Sequence, residues 1–275
     1  MTRARLGLGI LALLALAALG APLLQHWLGA DPFAPDLFAR YEPASAAHPL
    51  GADELGRDIL LRLFYGARVS LAVGLSAALA ASLLGTALGV LAAWRGGWVD
   101  AVLMRLADGL LALPALPLLV LLAAIDPARL GLPRGEAWTD MLRITVILVL
   151  FGWVGVARLA RAATLSVLAT DYVRAARALG VSEARLLRRH VLPGIAAPVA
   201  VATALAVAGA ILAESVLSFL GLGIQPPAPS WGNMLANAQE AVFAAPLAAL
   251  WPGLAILLAV AACGLLADGV SRAGE

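Results

Sequence analysis

The 275-residue sequence contains no lysine; all 19 of its basic residues are arginine. Without lysine there is no Walker A phosphate loop, so the chain is not a standard P-loop ATPase. Schiff-base chemistry is excluded on the same ground. The single cysteine, Cys263, rules out an intrachain disulfide and, inside an apolar run, reads as a small core hydrophobe. Charged residues make up only 13%, where a soluble chain has about 25%. The three histidines, His26, His48 and His190, are far apart in sequence, and no metal site is expected from them. No catalytic constellation is expected either.

Apolar length is what the sequence has in excess. It is 62% hydrophobic, with a mean hydropathy of +0.93. A hydrocarbon core of about 30 Å takes roughly 20 apolar residues at about 1.5 Å rise each. Six runs are candidates, near 6–28, 69–93, 101–125, 144–163, 195–222 and 247–267, the fourth being the shortest. The expected fold class is therefore all-α, a polytopic membrane protein of six transmembrane helices. The first run has the basic start and the small residues (Gly20, Ala21) of a secretory signal. It continues to about Leu24 without a polar break, which favours a retained first helix.

Six spans put both termini on one side, and arginine counts choose which. One set of connecting segments holds Arg40, Arg57, Arg62, Arg68, Arg129, Arg134 and Arg143; the other twelve arginines lie in the opposite set. The excess predicts cytoplasmic termini, with the stretch 171–194 on the cytoplasmic side. Outside, residues 29–68 start turn-rich, and ELGRDILLRLFYGAR then places Ile59, Leu60, Leu63, Phe64 and Ala67 on one helical face. That pattern predicts a helix on the membrane surface before the second span. Further outer loops are expected at 126–143 and 224–240, the prolines and Trp231 of the latter suggesting a stiff interfacial segment. The chain divides into 1–68, a first helix plus external segment, and 69–270, a five-helix domain with a cytoplasmic hairpin at 171–193.

That hairpin, DYVRAARALGVSEARLLRRHVLPG, is the densest charge in the chain. Asp171 to Leu179 predicts a short helix with Tyr172, Ala175, Ala176, Ala178 and Leu179 on a smooth face flanked by Arg174 and Arg177. Gly180, free to take positive φ, ends it. Ser182 is placed to cap a second helix that Pro193 ends, with Arg185, Arg188 and Arg189 on one face. An amphipathic loop whose arginines meet lipid phosphates explains the charge, but neither the alanine face nor the glycine. A DNA-binding helix-turn-helix needs a soluble core, and apolar spans begin within a few residues on either side, so no nucleic-acid partner is expected. A docking surface for a cytoplasmic partner accounts for all three features.

In its spacing this hairpin resembles the cytoplasmic signature of binding-protein-dependent ABC importer permeases. That signature runs Glu-Ala-Ala, three residues, Gly, nine residues, Ile, one residue, Leu-Pro. Ala175-Ala176, Gly180 and Leu192-Pro193 fall at those spacings; Arg174 replaces the Glu and His190 the Ile. HPLGADELGRDILLRLFYGARVSL (48–71), DGLLALPALPLL (108–119) and ILAESVLSFLGLGIQPPAPSWGNML (211–235) are similar to segments of the dipeptide, oligopeptide and nickel class. The resemblance covers roughly 48–270. It implies a subunit of a type I ABC transmembrane domain, paired with a second permease as a heterodimer and served by an external solute-binding protein. It also implies two ATPase subunits that carry the ATP and Mg, this chain binding no cofactor itself. Asp171, Arg174, Ala175, Ala176, Gly180, Leu192 and Pro193 would then form the ATPase-coupling element. The membrane implied is the bacterial cytoplasmic (inner) membrane, and the cargo a peptide, nickel, glutathione or an opine.

Glu214 is the one acidic residue well inside an apolar run. Intramembrane carboxylates are costly and face a cavity or a polar partner. Two roles stay open for Glu214, Ser215 and Ser218: lining a pathway or subunit interface, or closing a hydrogen-bonded node. A secondary transporter or channel working without ATP is the alternative class. Such proteins carry inverted repeats or several intramembrane charges, and neither is evident here.

Overall fold

The structure is a computed structural model that describes residues 2–131, 133, 135–240 and 245–272. Among the described residues, five helices are long and apolar enough to cross a membrane: α1 (Thr2–Leu28), α2 (Ile59–Arg95), α5 (Ala137–Leu168), α8 (Leu192–Phe219) and α10 (Pro246–Ser271). A bent pair, α3 (Gly97–Leu111) and α4 (Ala115–Ala123), whose axes meet at 83°, makes a sixth crossing if it is counted as one span. The run at 101–125 is therefore broken rather than straight. Pro114 stands at the start of α4, lacks an N–H and restricts the residue before it, so the α3 hydrogen-bond ladder cannot pass through. At the other end of α3, Gly96 and Gly97 both take positive φ, turning the chain sharply out of α2.

The surface helix expected before the second span is absent as a separate element. Asp58 caps α2 by accepting from Leu61 N–H at 2.7 Å, and the helix then runs unbroken for 37 residues. That is about 55 Å, well beyond the hydrocarbon thickness, so the apolar face at Ile59–Ala67 forms the first turns of a long span. Ile59 packs with Met234, Ala238 and Ala248 instead of lying on lipid.

Small residues set the packing. The stretch GTALG puts Gly85 and Gly89 one turn apart on α2, where an added Cβ would overlap the carbonyls of Trp153 and Ala157 on α5. This close approach follows the Gly-x-x-x-Gly logic of membrane helices, where backbone contact substitutes for a hydrophobic driving force. The same device seats α1 on α10, with Gly7 against the backbone at Ala262 and Gly269 against Ala4. Arg3 pairs with Asp268 at 3.3 Å at one end of α1, and Tyr65 hydrogen-bonds Gln25 near the other. The first helix is thus a packed member of the bundle. The central core gathers Leu71, Ala78, Ile211, Trp231, Ile256 and Ala259 from four helices.

Candidate functional site

Beyond the last turn of α5 the chain makes two short arms, α6 (Asp171–Ala178) and α7 (Glu183–Leu186). Gly180 sits at φ +77°; its N–H bonds Arg177 O and the next N–H, of Val181, bonds Ala176 O. These are the two bonds of a Schellman stop, which needs a left-handed residue at that position. Ser182 occupies the cap position of α7, but its backbone carbonyl, not its hydroxyl, takes the bonds from Arg185 and Leu186. Across the bend, Arg177 pairs with Glu183 at 3.5 Å and the Tyr172 and His190 rings lie 5.9 Å apart. Val173, Leu186 and Val191 are buried and hold the arms to the bundle. The opposite side is open: Leu179 is 85% exposed, Tyr172 52%, and Ala175 and Ala178 are exposed between them.

Pro193 does not end the second helix. Residues Leu187–Val191 form a π turn, with Leu192 N–H bonding Leu187 O five residues back, and Pro193 then lies in the first turn of α8. The wider turn accommodates the proline ring and its missing N–H, which would have interrupted a tight α ladder. The arm and the span therefore form one apolar rod, Glu183–Phe219. Arg174, at the position where a Glu is the rule, reaches Asp171 at 3.6 Å on the exposed side.

Toward the far end of that rod lies Glu214, with no exposed surface. Ser70 Oγ donates to Oε2 at 2.8 Å and Ser218 Oγ to Oε1 at 2.6 Å. Ser70 Oγ in turn accepts from Trp231 N–H at 3.2 Å, and Ser218 Oγ from Ile224 N–H at 3.1 Å. The carboxylate thus anchors both ends of the turn between α8 and α9 (Trp231–Glu240). Ser215 is buried beside it, under Gly232, whose missing Cβ admits the Ser215 backbone. Glu214, Ser70 and Ser218 form a hydrogen-bonded node enclosed within this chain, and Ser215 Oγ is buried beside it without a hydrogen-bond partner among the described residues.

Trp231, expected at the membrane interface, is 1% exposed; its Nε1 donates to Leu63 O and its ring covers Gly66. Asn233 closes the turn by donating from Nδ2 to Ile224 O and Ala228 O. Arg143, counted among the outer-loop arginines, lies inside α5 and is buried. It donates to the carbonyls of Ala123, Leu222 and Gly223 at 3.0–3.3 Å, tying α4 to the same turn. Asp140 holds Arg143 at 3.4 Å and accepts from Gln225 N–H. On the segment before α2, Asp53 bridges Arg57 at 2.8 Å and Arg62 at 3.2 Å, and His48 meets Asp58 at 3.2 Å. Burial, reinforced by the neighbouring Asp53 charge, pushes the Glu54 carboxyl above the usual range. Asp108 pairs with Arg158 at 3.4 Å. Ser70 and Arg143 were the functional positions hidden in the sequence; the available signal was a polar side chain within or beside an apolar run.

Long spans around a buried polar node, with a rigid bent hairpin held out beyond them, define a helical membrane transport domain. Residues 85–273 match the family described as binding-protein-dependent transport system inner membrane component, and the chain belongs to that family. A glutathione transport system permease protein of Pectobacterium atrosepticum is 39% identical, over 84% of this chain and 73% of the relative. A di/tripeptide transport system permease protein of Pseudomonas aeruginosa is 38% identical over 97% and 86%, and an oligopeptide transport system permease protein of Bacillus subtilis 33% over 98% and 84%. In fold the chain is similar to the MetNI methionine ABC transporter, with a TM-score of 0.62 at 15% identity over 79% of this chain and 98% of that one. The chain is thus a multi-pass permease subunit of an ABC importer, a transport subunit rather than an enzyme. That role implies a partner permease, ATPase subunits and a binding protein, and it removes the ATP-independent alternative.

Proposed function

We propose that the chain carries short peptides across the bacterial cytoplasmic membrane, as one half of a heterodimeric permease pathway. The hairpin 171–193 docks into an ATPase subunit, which holds the ATP and Mg; this chain binds no cofactor. Both termini share the hairpin's side, the cytoplasm. Peptide cargo is supported by the names of the relatives, which handle glutathione, di- and tripeptides and oligopeptides. The observation that carries the docking role is the exposed face of the hairpin, where Leu179 projects at the bend with 85% of its surface free. A leucine so placed contributes little to the fold, and its burial in an interface would be worth about 2 kcal/mol.

Physically the arrangement suits force transmission. The bend is fixed by a Schellman stop, an ion pair and a ring contact, and its second arm continues into the span that carries Glu214. Movement of the ATPase is thereby delivered to α8 as movement of a rod. The test is a Leu179→Cys chain in a Cys263→Ala background, co-expressed with its partner subunits. A crosslink from position 179 to an ATPase subunit, sensitive to nucleotide, is expected; a crosslink only to lipid or to the second permease overturns the docking role.

A further inference from the structure

We propose that the groove between the inner half of α2 and the start of α8 is a binding site for one anionic phospholipid. Its volume is about 480 Å³, and its walls are Leu83, Ala87, Val90 and Leu91 of α2 with Leu187 and Leu192 from the π turn and the first residue of α8. Trp94 and Arg95 close it at the hairpin end. From Leu83 to Arg95 the helix rises about 18 Å. One leaflet is half of a hydrocarbon core about 30 Å thick. The groove therefore runs from the interface to near the bilayer middle, the path of a single acyl chain. Tryptophan and arginine at its mouth are the residue types that sit at headgroup level.

Charge selects the headgroup. Several arginines on this side are paired: Arg3 with Asp268, Arg158 with Asp108, Arg161 with Asp100, Arg174 with Asp171 and Arg177 with Glu183. Arg95 at the groove mouth, and Arg185, Arg188 and Arg189 on the arm that supplies Leu187, have no acidic partner among the described residues. These side chains are exposed. Arg95, at the mouth, is placed to meet the phosphate of a lipid whose chain fills the groove. A neighbouring protein helix is the competing occupant of the apolar walls, and the crosslinking arm of the test separates the two. A lipid held here joins α2 to the hairpin, so membrane composition would bear on the stiffness of that junction.

Native mass spectrometry of the detergent-purified transporter complex tests the site, with dioleoylphosphatidylglycerol and dioleoylphosphatidylcholine as probes. The wild type is expected to retain one phosphatidylglycerol through washing and to prefer it to phosphatidylcholine. Arg95→Gln, on an exposed side chain, should lower that occupancy roughly fivefold, the value of one arginine at an anionic surface. Ala87→Trp, which fills the groove from an exposed position, should abolish it. Equal retention of both lipids, or retention unchanged in Arg95→Gln, overturns the proposal. So does a cysteine at Leu91 that crosslinks to a partner subunit in the assembled complex, since protein would then occupy the groove.

Discussion

Ser70 and Glu214 are 144 positions apart, and the Ser70 hydroxyl donates to the Glu214 carboxylate at 2.8 Å in a place without solvent. The bond joins α2 to α8, and through the Trp231 N–H it also fixes the outer turn. The carboxylate accepts from two hydroxyls, each of which accepts in turn from a backbone N–H, so its removal releases a network rather than a single contact.

Glu214→Ala should therefore destabilise the solubilised chain by about 2 kcal/mol, leaving two buried hydroxyls without their acceptor. Ser70→Ala should cost about 1 kcal/mol, the usual scale of an interhelical hydrogen bond in a membrane protein. Glu214→Gln keeps the shape and an acceptor oxygen and should fall between wild type and Glu214→Ala. Thermal unfolding of the purified chain, followed by loss of the monodisperse peak, ranks the three variants. Equal stability of Glu214→Ala and wild type would exclude the node.

Gly180 offers a cleaner test, because no atom lies within 4 Å of where its Cβ would be, while its φ is +77°. Substitution therefore meets backbone strain and not a clash. A left-handed conformation costs a residue with a Cβ roughly 1–2 kcal/mol, less for Asn and more for a β-branched residue. That bias corresponds to a factor of about 5–30 in the population of the native bend. Peptide-stimulated ATP hydrolysis and uptake in proteoliposomes should decline in the order Gly, Asn, Ala, Val, with expression and insertion unchanged. Full uptake by Gly180→Val would sink the idea that the fixed bend transmits force.

Hydropathy and turn chemistry made much of this legible. The apolar runs gave five spans to within a few residues at most ends, and Gly180 marked the bend because a left-handed stop has a residue type of its own. What stayed hidden depends on path and partner. Hydropathy measures partition, so DGLLALPALPLL reads as membrane whether or not Pro114 bends it. A turn-rich segment followed by an amphipathic stretch does not disclose that Asp58 starts a helix continuous with the span. Proline is a stop signal in isolation, yet the π turn before Pro193 carries the helix through it. Arg143 looked topogenic because a charge count cannot see the three elements whose carbonyls and carboxylate surround it. The Ser70–Glu214 bond, across 144 positions, has no periodic trace at all.

The same structure chooses how orientation should be measured. A cysteine at Asp53 would be a poor external reporter: the residue is 8% exposed and binds both Arg57 and Arg62, so replacing it disturbs the outer segment. Phe38 is fully exposed at the tip of the short 3-10 turn Leu37–Ala39, which Asp36 caps through Phe38 N–H. Ser182, exposed at the hairpin bend with no side-chain cap bond, is its counterpart on the opposite side. In a Cys263→Ala background, where the only native thiol is gone, each position is labelled alone in intact cells with an impermeant maleimide. Phe38→Cys should react and Ser182→Cys should react only after permeabilisation, because the proposed docking role puts the hairpin in the compartment that holds the ATPases. Reaction of Ser182→Cys in sealed cells would put the hairpin outside and overturn the orientation and the coupling role together. Failure of both to react before permeabilisation would contradict the exposure of the Phe38 turn alone.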